Sequence, residues 1–124
     1  MIELMIVLVI MAILVALAYP SYISYTRKAK RGDAQQLLMN WSSNQEIWRS
    51  NNPTYATTTN LAAPTQNPAN YVFSLVGTPT ETTYTLRATA QGDQLNDKNK
   101  AGTVTCSPLT IDQSGEKSPT DCWD

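Results

Sequence analysis

The sequence predicts an α+β fold: a long N-terminal α-helix, apolar in its first part and amphipathic in its second, packed on a small antiparallel β-sheet. Three observations predict it. No charged or strongly polar side chain occurs from Leu4 to Tyr19. From Ala34 to Trp48 apolar residues recur at helical spacing, and beyond Tyr71 the apolar period shortens towards two.

Composition narrows the function classes. At 124 residues the chain holds one domain at most. It is 42% hydrophobic and 15% charged, with a net charge of −1. That balance excludes a strongly basic nucleic-acid binder and an acidic solvating tail. The absence of histidine removes catalysis by an imidazole base and any zinc site with a His ligand. Two cysteines are too few for a four-thiolate metal site. Charge also divides the chain. Residues 1–51 carry five basic and three acidic side chains, a balance of +2; residues 52–124 carry four and seven, a balance of −3. The picture is an apolar stem with a mildly acidic head, suited to structure or assembly and not to enzymology.

Met1 to Tyr19 reads MIELMIVLVIMAILVALAY. As a helix these residues cover roughly 28 Å, close to a bilayer core. A rod apolar on every face needs a membrane or a filament core around it. The run lacks a basic start and a small-residue cleavage site after it, so it is expected to be retained. Glu3 is its one acid, and a carboxylate at apolar depth needs a partner. Two partners fit. One is its own helix N-terminus, with free N–H groups and partial positive charge. The other is a positive charge on a second copy, an N-terminal amine being the obvious donor.

Met1-Ile2-Glu3-Leu4-Met5-Ile6-Val7, continuing to Ala18-Tyr19-Pro20-Ser21-Tyr22, resembles the N-terminus of a type IV pilin. The resemblance is strong over residues 1–51 and looser beyond. That family opens its mature chain with Phe-Thr-Leu-Ile-Glu-Leu-Met-Ile-Val. Its lone glutamate matches Glu3, and its helix proline matches Pro20. It implies the pilin fold, with Glu3 and Pro20 as assembly residues. Residues 1–25 become a transmembrane and filament-core helix, and 26–124 a globular head. The subunit is then expected in the bacterial inner membrane, single-pass with a periplasmic head, and afterwards in an extracellular filament. The implied partners are copies of itself, other pilins, the prepilin peptidase and the pilus assembly machinery. No cofactor, no enzymatic activity and no specific nucleic acid are implied. Met1 stands where the family has Leu, and Ala12 where many pilins carry Gly. A leader with basic residues and a methylated Phe are expected ahead of Thr-Met1. Arg27, Lys28, Lys30 and Arg31 alone would hold the head in the cytoplasm, and a basic leader on the other side of the stem resolves that conflict.

Pro20 has no N–H and crowds the carbonyl of Ala16. It predicts a kink, and by resemblance the end of a stretch near residues 12–20 that unwinds when subunits pack. Ala34, Leu37, Leu38, Trp41 and Trp48 form one helical face for the sheet. Gly32-Asp33 is a candidate break with a capping-box-like continuation, whereas the resemblance implies one helix to about residue 51. Asn51-Asn52-Pro53 ends it. Residues 52–70 read as a loop with three prolines. Strand-like runs follow at Tyr71–Val76, at Thr82–Ala90 with Tyr84, Leu86 and Ala88 on one face, and at Gly102–Ile111, the last bent or broken at Pro108. Together they make a meander over 71–112. Residues 92–100 read as polar and flexible.

Cys106 and Cys122 are either free thiols or a bridge closing 17 residues; a C-terminal disulfide loop over 106–122 is what the resemblance implies. The late Cys122-Trp123 looks most like minor pilins of the PilE kind. Several other features read as solvated surface. Asp93, Asn96, Asp97 and Asn99 lack the spacing and closing Glu of a calcium loop. Lys28, Lys30, Arg31 and Arg49 are scattered charges. Tyr19, Tyr22 and Tyr25 at steps of three suit interfacial anchoring or packing, and Asn40-Trp41-Ser42 matches a glycosylation triplet on a predicted helix. The function expected is a structural subunit of a type IV pilus, polymerising through its stem. The alternative is a pseudopilin of a secretion system, or another single-span binding domain that never polymerises.

Overall fold

A computed structural model of the chain describes residues 1–65 and 70–123. Residues 66–69 of the expected loop, and Asp124, lie outside that description. Helix α1 runs unbroken from Ile2 to Arg49. At about 1.5 Å per residue it is roughly 72 Å long. It passes through Pro20 and Gly32, so the break considered at Gly32-Asp33 does not occur. A helical glycine costs only about 1 kcal/mol, and the buried Arg31 and Ala34 on either side hold the segment to the head. The helix ends where its last carbonyls find local donors. Ser50 Oγ donates to the Ile47 carbonyl at 2.6 Å and Asn52 Nδ2 to that of Trp48 at 2.8 Å. Pro53 follows, and a proline does not continue a helix that has closed in this way.

Four antiparallel strands form one meander: β1 (Tyr71–Leu75), β2 (Thr85–Ala90), β3 (Leu109–Asp112) and β4 (Lys117–Ser118), in that order. Phe73 pairs with Ala88, Leu86 with Ile111 and Ala88 with Leu109. That register puts Tyr71, Phe73, Leu86, Ala88, Ala90, Leu109 and Ile111 into one core with Ala34, Leu38 and Trp41 of α1. Tyr84, Leu86 and Ala88 are all buried, as the alternation requires.

Three features differ from expectation. The third strand begins only at Leu109. The preceding residues instead loop back, with one bridge between Lys98 and Thr105. The sheet also runs on to Ser118, beyond the expected meander, so the segment between the cysteines is strand and turn more than loop. Finally, Gly92–Asn96 is a 3-10 helix with Gln94 buried, not a flexible stretch.

The β3–β4 turn is held by one carboxylate. Asp112 Oδ1 accepts from Ser114 N–H (2.9 Å), Ser114 Oγ (2.6 Å) and Glu116 N–H (2.9 Å), while Gly115 takes φ +82°. Partial burial nudges this carboxyl up, but those hydrogen bonds outweigh it and hold it below the usual carboxylate range. A carboxyl lowered in the fold contributes stability above its unfolded pKa and loses it as pH falls through the folded value. We therefore expect the Ser114 and Glu116 amides to lose protection below the ordinary value of 3.8, before the β1–β2 amides do. Hydrogen exchange followed by NMR across the acid range measures this, and simultaneous loss at both places would contradict it.

Candidate functional site: a bare stem on a clasped head

No residue from Ile2 to Tyr19 is buried. Thirteen Leu, Ile, Val and Met side chains stand between Ile2 and Leu17, with Leu4 67%, Leu8 69% and Leu17 72% exposed. Burying what each still exposes would gain on the order of 1–2 kcal/mol. Mean hydropathy reaches 2.8 in the most apolar 18-residue window. Length and apolarity make this helix fit to cross a membrane. Leu8, Met11, Ala12, Val15, Ala16, Tyr19 and Pro20 line a shallow apolar groove of about 630 Å³ along it.

Glu3 sits in the first turn of α1, exposed. The first basic side chain, Arg27, lies 24 positions further on, about 36 Å along the helix. No basic side chain of the same subunit's stem can neutralise it. Pro20 lies inside the helix without an N–H to offer the Ala16 carbonyl. Tyr19, Tyr22 and Tyr25 are exposed just below the apolar run.

The lower half of α1 is clasped to the head. Arg27 and Arg31 are one helical turn apart, and so are their partners in spacing, Asp93 and Asp97. Arg27 Nε donates to Asp93 Oδ2 at 3.1 Å and Nη2 to Oδ1 at 2.8 Å. Arg31 Nη1 donates to Asp97 Oδ2 at 2.7 Å and to the Lys98 carbonyl at 3.2 Å, and lies 3.2 Å from Cys106 Sγ. Between them, Gln94 Nε2 donates to the Arg27 carbonyl (2.9 Å) and to Tyr71 Oη (3.1 Å). Gln35 Nε2 reaches the Cys122 carbonyl at 2.7 Å. At the far end Gln45 holds Ala56 by both backbone groups, and Ser42 Oγ meets Tyr84 Oη at 2.6 Å.

The two ion pairs differ in kind. The exposed Asp93 carboxyl is held below its usual range by the Arg27 hydrogen bond, which also raises Arg27. Arg31 and Asp97 are each 4% exposed. Burial pushes the Asp97 carboxyl up, and the Arg31 guanidinium pulls against that. Burial likewise raises the Tyr71 hydroxyl to about 12, against the Gln94 hydrogen bond. The chemistry is that of a rigid joint.

Two expectations are corrected here. Arg31 and Asp97, read as solvated charges, are a buried pair, and Asn99 is buried too. Gln45 and Gln94 went unmarked in the sequence because glutamine carries no periodic signal, and Gln35 read only as part of the polar helix face and of the capping-box-like stretch after Gly32. The Arg–x₃–Arg and Asp–x₃–Asp spacings are the signal that would have found the clasp. Cys106 and Cys122 form a disulfide across a separation of 16 residues, both almost fully buried.

A bare apolar half-helix continuous with a half that carries a disulfide-closed sheet defines a type IV pilin. The fold is shared with a solved type IV pilin from Shewanella oneidensis. Identity is 25%, the match covers 79% of this chain and 98% of that one, and the TM-score is 0.57. Residues 20–110 match the family described as type IV minor pilin ComP, DNA uptake sequence receptor. The chain belongs to that family. No curated protein matches the chain at significance. Its role is that of a pilin subunit.

Proposed function

We propose that this pilin polymerises through residues 2–19 into a type IV pilus filament, with Glu3 neutralised by the N-terminal amine of a neighbouring copy. The observation that carries the proposal is the uncovered stem: thirteen large apolar side chains that the subunit itself leaves bare. Before assembly the inner membrane covers them and the head is periplasmic. After assembly the stems of other subunits cover them and the head faces outward. The prepilin peptidase and the assembly machinery act between these states. Residues 12–20 are the stretch that unwinds on packing, since Pro20 leaves the Ala16 carbonyl without its helical donor.

Duplex DNA is not among the partners this chain's charge favours. Affinity for duplex grows with the number of phosphates neutralised. Here nine cations face ten acids, and six of the nine line the clefts where the upper head meets α1. That end faces the bilayer or the filament core, away from an incoming duplex.

Glu3→Ala and Glu3→Lys test the proposal. Each is expected to lower the yield of sheared surface filaments at least about tenfold, since a 1.4 kcal/mol loss per contact is already tenfold. The thermal midpoint of the head should not move, because Glu3 touches none of it. Normal filament yield from either variant would refute the intermolecular role of Glu3. Electron microscopy of the wild-type material separates the alternative: a pseudopilin or a tethered domain leaves no long fibres that contain this chain.

A further inference from the structure

Charge in this chain is polarised in a way its net value hides. Arg27, Lys28, Lys30, Arg31, Lys98 and Lys100 gather where α1 meets residues 92–100, with Asp93 and Asp97 as the acids of those two segments. That gives a local balance of +4. The remaining three cations and eight acids of the sequence leave −5. The cationic end lies directly below the apolar stem.

At that end is a cleft of about 400 Å³ between Ser21, Ser24, Tyr25 and Lys28 on α1 and Lys98 and Lys100 on the facing loop. The four helical positions follow the i, i+3, i+4, i+7 pattern of one face. The loop wall is fixed by its alternate residues. Asp97 is buried on Arg31, and Asn99 Oδ1 accepts from the N–H groups of Thr103 (2.9 Å) and Val104 (3.0 Å). Lys98 and Lys100, between and beyond them, are exposed. Asp97 is the one acid among the described lining residues, and Arg31 occupies it. Around that pair stand the exposed Lys98 and Lys100 and the hydroxyls of Ser21, Ser24 and Tyr25.

We infer that this cleft seats the phosphate of an anionic phospholipid headgroup while the stem spans the membrane. The inference rests on the stem being a membrane span. Ser21 to Lys28 lie about 3–14 Å beyond Tyr19 along the helix. A headgroup layer is about 5–8 Å thick, so Ser21 and Ser24 lie within it, Tyr25 at its edge and the lysines just beyond, from where their flexible stems reach back towards it. The phosphate accepts from the hydroxyls and is paired by the ammonium groups. A duplex has no such access, because the bilayer stands against this end. Each basic residue near an anionic surface multiplies the bound population about fivefold, so Lys98 and Lys100 together supply about 25-fold.

The test uses the full chain, one copy per nanodisc, in phosphatidylcholine alone or mixed with phosphatidylglycerol. Insertion is verified in both by resistance to alkaline extraction. Hydrogen exchange of the Asn99–Thr105 amides is then compared. The mixed bilayer is expected to slow exchange there at least about fivefold, with the effect fading at high salt. K98E/K100E should abolish it while the head melts as in the wild type, since both lysines are exposed. Equal exchange in the two bilayers, or protection that survives in K98E/K100E, would overturn the inference and leave the spanning stem intact. Protection conferred by duplex DNA in phosphatidylcholine discs, and not by phosphatidylglycerol, would overturn it in favour of nucleic acid. Failure to insert in either bilayer would overturn the spanning stem, and this seat with it.

Discussion

Arg31→Ala is expected to destabilise the head by about 3–5 kcal/mol, the usual penalty for removing one partner of a buried ion pair. A domain of this size has only about 5–15 kcal/mol in total. The guanidinium is 4% exposed and serves three groups at once: Asp97, the Lys98 carbonyl and the edge of the disulfide. Without it the Asp97 carboxylate stays buried with no counter-charge. Burial already raises that carboxyl against the pull of Arg31, so in the variant it rises further. A carboxyl raised in the fold stabilises below its unfolded pKa and loses that contribution as pH climbs through the folded value. The defect of Arg31→Ala is therefore smallest near the ordinary value of 3.8 and largest at neutral pH. Denaturant unfolding of the full chain in micelles, followed by tryptophan fluorescence, measures both effects. Replacing Arg31 and Asp97 together by leucine should recover much of the loss, because the cost lies in the orphaned charge. A loss below about 1 kcal/mol at neutral pH, or one independent of pH, would show that water reaches the pair.

What the sequence made legible follows the reach of its signals. Periodicity is local and strong, so the lower half of α1 and the buried face of β2 were readable from Leu38, Trp41, Leu86 and Ala88 alone, and β1 as a strand-like run. Gly32 was ambiguous because its cost of about 1 kcal/mol is smaller than the packing on either side. The stretch from 92 to 105 was misread because its order comes from partners some 66 residues away, Arg27 and Arg31. No window centred on Asp93–Asn99 contains them. Polar residues look solvated in a sequence, and Asp97, Asn99 and Gln94 are buried only because the helix brings donors and acceptors to them. Strand β4 was missed for a related reason: two residues, Lys117 and Ser118, carry no pattern, and β3 alone recruits them. The stem was legible for the opposite reason, since it makes no internal contact that could disguise it. Glu3 stood out there because every neighbour is apolar.

Removal of the disulfide by C106A/C122A is expected to cost about 3 kcal/mol, the loop entropy of a 17-residue closed segment. The separation of 16 residues encloses β3, the Asp112 turn and β4. Without the bridge these elements depend on the β2–β3 pairing and on Gln35, which holds the Cys122 carbonyl at 2.7 Å. The last residues are otherwise fixed by the Trp123 Nε1–H bond to the Ser118 carbonyl at 3.2 Å and by the Lys117 ammonium 5.3 Å from the Trp123 ring. Exchange in C106A/C122A should accelerate first in residues 117–123 and last in β1. The bridge and the buried ion pair also touch, because Arg31 Nη1 lies 3.2 Å from Cys106 Sγ. Their energies are then not additive. A double-mutant cycle between Arg31→Ala and C106A/C122A should return a coupling of about 0.5–3 kcal/mol, as for groups in direct contact. An additive cycle would mean that the guanidinium acts on Asp97 alone. A coupled one makes Arg31 the point where helix, clasp and disulfide are a single joint. Reduction of the bridge would then loosen the hold of the stem on its head, and an oxidising compartment is where a subunit built this way keeps the two together.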